Sequence, residues 1–175
     1  MSTLKLPVTA QDQQTGNKNA KATLVEYGDY QCPHCGHAHP LLKKLLQNKG
    51  TEFRFVFRNF PLAEVHPAAM MAAQAAEAAA KQGKFWEMHD LIYEHQNDLH
   101  GNRFIDFAQS LGLDLQRFGQ DWKSEAVLAK IEQDFESGIR SGVNGTPTFF
   151  INGTKYEAYD GSYESLEEGI EIFSK

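Results

Sequence analysis

Between Ala22 and Phe60 the chain fits a strand, a helix and a second strand into fewer than forty residues, and that order restricts what the rest can build. Residues 22–27, ATLVEY, are a short apolar run rich in strand formers that stops at Gly28 and Asp29. Leu41, Leu42, Leu45 and Leu46 then recur at helical spacing until Asn48 and Gly50 end the pattern. In residues 52–60, EFRFVFRNF, Phe53, Phe55 and Phe57 alternate onto one face. Two strands joined through a helix over so short a span pair in parallel, with the helix crossing over one face of their sheet.

The character changes from His66 to about Ser141. The stretches HPAAMMAAQAAEAAAKQG, FWEMHDLIYEHQ, NRFIDFAQSLG, DLQRFGQDW and SEAVLAKIEQDFESGIRS all carry helical periodicity, with Val127, Leu128, Ile131, Phe135 and Ile139 as one stripe. The alanine-rich segment reads as a closely packed helix interface, because Met, Gln and Glu punctuate it. Strand signals return at Thr148–Ile151. Asn152-Gly153 then predicts a hairpin, with a second strand through Tyr156 and Tyr159. A last helix carries Tyr163, Leu166, Ile170 and Phe173 on one face. The expected fold class is therefore α/β: one sheet-forming domain, residues 1–61 and 142–175, divided by an all-helical domain at residues 62–141.

Composition excludes several functions for a chain of 175 residues. Net charge is -6, and no Lys/Arg block exists to track phosphates, so nucleic acid is not an expected partner. The N-terminus MSTLKLPVTAQDQQTGNKNA has no apolar signal core, and no apolar run has the ~18 residues of a membrane span. As written the chain is expected in the cytoplasm, or in the periplasm if a signal has been removed. That polar N-terminus offers no amphipathic stripe for dimerisation, and a monomer is expected.

The chain has only two cysteines, in YQCPHCGHAHP. A bridge between Cys32 and Cys35 closes too short a loop to restrain much unfolded-chain entropy, so a structural staple is not its purpose. Thiol chemistry runs through the thiolate, and the motif lies where strand gives way to helix. Pro33 suits the first helical position, which puts Cys32 near the N-cap, where unpaired backbone N–H groups and the helix dipole favour an anion. His34 can add a donor or a positive charge beside that sulfur. Lowering a thiol from about 8.5 to about 5 favours the thiolate at neutral pH by roughly 2.7 kcal/mol, or about 60 mV for a two-electron couple.

CPHC after a strand, in EYGDYQCPHCGHAHP, together with GTPTFFING after a long helical insertion, resembles the bacterial DsbA-like thiol oxidoreductases over roughly Lys21 to the end. The resemblance implies a thioredoxin-like fold with inserted helices and a protein disulfide oxidoreductase needing no cofactor. It implies that Cys32 is the exposed attacking thiol and Cys35 the buried resolving one. Thr146 and Pro147 would form the substrate-facing loop with a cis peptide, and Glu26, beneath the site, would relay a proton to or from Cys35. The partners implied are protein or peptide thiols and disulfides, with an unknown protein recycling the pair. Thr146 stands where the best-known oxidases of the group carry Val.

Other readings compete with this one. Cys32, Cys35, His37 and His39 give CxxCxHxH, whose ligand types suit a zinc-binding structural module. On a regular helix, however, His37 and His39 point about 160° apart, so no metal is expected there, and both read as helix-surface residues. An isomerase or a peptide-binding chaperone on the same scaffold is the remaining alternative.

Overall fold

The computed structural model describes all 175 residues. The chain runs β1 (Gln13–Gly16), β2 (Ala22–Gly28), α1 (Pro33–Lys49), β3 (Phe53–Asn59) and then five helices: α2 (Ala69–Ala80), α3 (Phe85–Glu94), α4 (Gly101–Ser110), α5 (Leu115–Trp122) and α6 (Glu125–Arg140). It closes with β4 (Thr148–Ile151), β5 (Thr154–Lys155) and α7 (Tyr163–Ser174). The strands form one sheet in the order β1-β3-β2-β4-β5. β2 and β3 are parallel, from Ala22 opposite Phe53 to Gly28 opposite Asn59, as the short crossover requires. β4 runs antiparallel to β2, which brings the C-terminal half of the chain against the N-terminal half at the centre of the sheet.

Side chains along β2 alternate between two packed faces. Leu24 joins Leu42, Leu45, Phe53, Phe55, Leu166 and Ile170 under α1 and α7. Val25 and Tyr27 join Val56, Phe60 and Phe150 on the other face, with Phe135 of α6 packed over them. There α6 comes close: Gly138 lies against the rings of Phe60 and Tyr27, where a Cβ would collide with Phe60, and Tyr27 Oη is 2.8 Å from Ser137 Oγ. The alanines of α2 are buried against the other helices, which is the close interface their small size allows. One cluster of 21 buried residues runs from Cys32, Cys35, Tyr30 and Phe57 through α2 to α6. The helical block thus shares its core with the residues around the cysteines.

Several local expectations are corrected. β1 forms from the polar residues QQTG as an antiparallel edge on β3, with no apolar signal to announce it. The hairpin turn at Asn152 (φ 47°) and Gly153 (φ 82°) forms as expected. Its second strand, however, stops at Lys155. Tyr156 and Tyr159 lie beyond it, Tyr156 donating from its hydroxyl to the Ser165 carbonyl and Tyr159 packing on Phe149. The α6 stripe also rotates, leaving Ile139 exposed while Asp134 and Ser137 are buried, because a polar network beneath β3 claims that face. Phe173 near the end of α7 is likewise exposed.

Candidate active site

The sheet presents Gly28 and Asp29 at the C-terminal end of β2, and the chain turns there directly into α1. Cys32 is the N-cap, with extended backbone and no side-chain cap, and Pro33 opens the helix. The turn is held at both ends. Asp29 accepts from the backbone N–H of Gln31 at 2.7 Å and of Leu62 at 2.9 Å, and its other side-chain partner is His66 Nδ1 at 2.8 Å. From the end of α3, Gln96 Nε2 donates to the Tyr30 carbonyl at 3.0 Å and the Cys32 carbonyl at 2.7 Å. Gly36 lies directly against that Gln96 side chain, with no room for a Cβ.

Both cysteines are reduced. Cys32 is 5% exposed and Cys35 fully buried, so the expectation of an exposed attacking thiol is corrected to a nearly covered one. Thr146, facing it from the loop before β4, supplies part of the cover, with Cys32 Sγ 3.4 Å from the Thr146 carbonyl. The Thr146–Pro147 peptide is cis. The Thr146 hydroxyl is buried and bonds no oxygen or nitrogen.

The two thiols are driven apart in acidity. Cys32 is lowered from 9.0 to about 5, first by a hydrogen bond from the Cys35 thiol, against the opposing effect of burial, then by Thr146 and the backbone N–H groups of Cys35 and His34. His34 therefore acts through its main chain. Its imidazole is exposed. Burial pushes Cys35 well above the ordinary range, and the Cys32 sulfur and Glu26 push it further. The one group lowering it is the backbone N–H of Asp29, 3.5 Å from Cys35 Sγ.

Glu26 is 1% exposed in the central strand, opposite Phe57 on one side and Phe149 on the other. Burial first, and the Cys32 charge second, raise it to about 8, so at neutral pH it is chiefly a carboxylic acid.

His37 and His39 do not join the two cysteines in one ligand cluster. His37 is exposed, with Nε2 2.9 Å from the Gly161 carbonyl. His39, expected on the surface, is 6% exposed and stacks on Tyr93 of α3 at 4.9 Å between ring centroids. The helical block covers the side of α1 it occupies, and burial takes its imidazole down to about 4.

Sequence reasoning missed Asp29, His66, Tyr93 and Gln96. Asp29 carried a readable signal, a turn-forming residue just before a helix cap. The others reach the site from the helical block, and a local pattern cannot register that distance. Gln31, Pro33, Val65, His66, Gln96, Asn97 and Leu99 line a shallow cleft of about 410 Å³ beside the motif.

A family model described as Thioredoxin matches residues 9–171. The chain is 46% identical over 154 residues to the Na(+)/H(+) antiporter NhaA 3 of Salinispora tropica, a match covering 87% of this chain and 24% of that protein. It is 39% identical over 158 residues to NhaA 1 of Mycobacterium sp. (strain KMS), covering 89% and 26%. It thus spans about a quarter of the length of these curated relatives. No helix here is long and apolar enough to cross a membrane. Among solved structures, a thioredoxin-like oxidoreductase from Silicibacter pomeroyi superposes with TM-score 0.80 at 26% identity, covering 94% of this chain and 92% of that one. Oxidised BdbD from Bacillus subtilis gives 0.82 at 23% identity, covering 98% and 97%, a likeness of fold.

Proposed function

This chain belongs to the thioredoxin family, and on that premise we propose that it works in the DsbA-like manner, exchanging disulfides with protein or peptide substrates through Cys32 and Cys35. The observation that carries the reading is the opposition of the two thiols, one lowered to about 5 and the other raised, side by side at a helix start.

In the oxidised form a substrate thiolate attacks Cys32 Sγ. The S–S bond to Cys35 breaks, a mixed disulfide forms and Cys35 leaves as a thiolate, which its raised pKa makes a strong base. Glu26, protonated at neutral pH, supplies the proton. A second substrate thiolate then attacks the substrate sulfur, releasing a substrate disulfide and the Cys32 thiolate. Two electrons have passed from the substrate dithiol to the pair. A stable Cys32 thiolate favours this direction, because it stabilises the reduced product.

Residues 1–61 with 142–175 would hold the reacting sulfurs and residues 62–141 would flank the substrate. The cleft beside Pro33 and the Thr146 backbone are where an extended peptide would lie. The antiport activity named for the longer relatives is no part of this reading.

Cys32→Ser is expected to abolish exchange with a reduced peptide, whereas Cys35→Ser, given a disulfide-bonded peptide, is attacked no further after Cys32 joins one peptide sulfur and releases the other, and accumulates mixed disulfides visible by mass spectrometry. If Cys35 alone is alkylated in the reduced protein, the roles are reversed. Equilibration against glutathione should place the couple at the oxidising end of the thioredoxin-family range; a potential near that of thioredoxin would overturn the proposed direction.

A further inference from the structure

We propose that His39, His89 and Asp90 form a binding site for a zinc-class divalent metal ion, joining α1 to α3 one helical turn along α1 from Cys35. One donor atom from each residue lies within 4.8 Å of the others. His39 Nε2 and Asp90 Oδ1 are 3.5 Å apart. A tetrahedral ion with bonds of about 2.1 Å spaces its ligand atoms about 3.4 Å apart, so this pair already stands at coordination distance. It is too long for a charge-assisted hydrogen bond, which closes to about 2.8 Å.

His39 Nε2 is an independent sign. It is buried and has no hydrogen-bond partner, on a residue that is 6% exposed. A buried polar atom left alone is costly, and an ion would satisfy it. His89 has the supporting contact usual for a ligand imidazole: its Nδ1 is 2.8 Å from the Tyr30 hydroxyl, which fixes the ring and leaves Nε2 as its free donor. The Asp90 side chain is 33% exposed, giving an ion a way in and a water the fourth position. Lys43 opposes binding, with Nζ 3.3 Å from Asp90 Oδ2, but it also pairs with Glu94 at 3.1 Å and keeps that partner when an ion takes Asp90.

The test uses the full chain with Cys32 and Cys35 oxidised to the disulfide, so that neither sulfur can bind metal. Zn2+ titrated by calorimetry is expected to bind one ion per chain, Co2+ to develop visible d–d absorption, and the melting temperature to rise with Zn2+ concentration. Asp90→Asn keeps the shape of a partly exposed residue and is expected to weaken binding about tenfold or more without altering the metal-free melting temperature. His39→Ala should abolish the Co2+ spectrum. The proposal is overturned if the oxidised protein binds no stoichiometric ion, or if Asp90→Asn binds Zn2+ as tightly as the wild type.

Discussion

At Cys32 the largest stabilising contact is the Cys35 thiol, with the backbone N–H groups of Cys35 and His34 contributing less, so removing that thiol is the most direct probe of the site. The alkylation rate of the reduced protein should follow the thiolate fraction and reach half its plateau near pH 5. In Cys35→Ala the midpoint is expected to move upward, and in Cys35→Ser less so, because a hydroxyl can still donate. A midpoint unmoved by Cys35→Ala would assign the acidity to the helix end alone. Glu26 gives the opposite sign. Its folded pKa lies above the unfolded value, so the folded state holds a proton that the unfolded chain has released, and stability falls as pH rises from about 4.5 to about 8. Glu26→Gln removes that dependence, and its advantage over the wild type should grow across the same window to roughly 3 kcal/mol at pH 7, read from urea unfolding. Cys32 and Cys35 were legible as a pair from spacing alone. That Cys32 is nearly covered, and that His34 acts through its main chain, depended on where other segments pack.

Among the elements, α1 is determined at its start by local chemistry and held in place by a distant residue. Pro33 at the first helical position and Cys32 at the cap could be read directly, but the clamp on the Tyr30 and Cys32 carbonyls comes from Gln96, sixty-four residues beyond Cys32. Gly36→Ala is expected to push Gln96 off these carbonyls and cost about 1–2 kcal/mol, since each lost hydrogen bond is worth about 1 kcal/mol. The double variant Gly36→Ala/Gln96→Ala should be no less stable than Gln96→Ala alone, as measured by urea midpoints; additive losses would show that the two residues do not communicate. The strands and helices with strong periodicity were readable because each buries one face of its own. β1 was not, since a short edge strand of polar residues gains its stability by pairing with β3. The second hairpin strand was read too long because aromatic alternation is the same whether Tyr156 and Tyr159 pair in a sheet or fold back toward α7.

Over the whole molecule, the buried cluster passing from the cysteines into α2–α6 implies that the helical block and the sheet unfold together. Trp86 and Trp122 both lie in the block, whereas far-UV dichroism reports all helices, so tryptophan fluorescence and dichroism should give one coincident urea transition. Gly138→Ala, which drives a methyl group into the Phe60 ring, should shift both curves to lower urea by the same amount. Two separated transitions would mean that the block melts as its own unit. Amino-acid order alone determined the parallel strand pair, the helical insertion, the returning hairpin and the cysteine pair at a helix start, because each follows from periodicity or turn chemistry within a few tens of residues. Tertiary structure alone decided how far each thiol is covered, which side of α1 faces the helical block and which residues reach the site from it. Burial and long-range hydrogen bonds are properties of segments brought together by folding, and no local pattern records them.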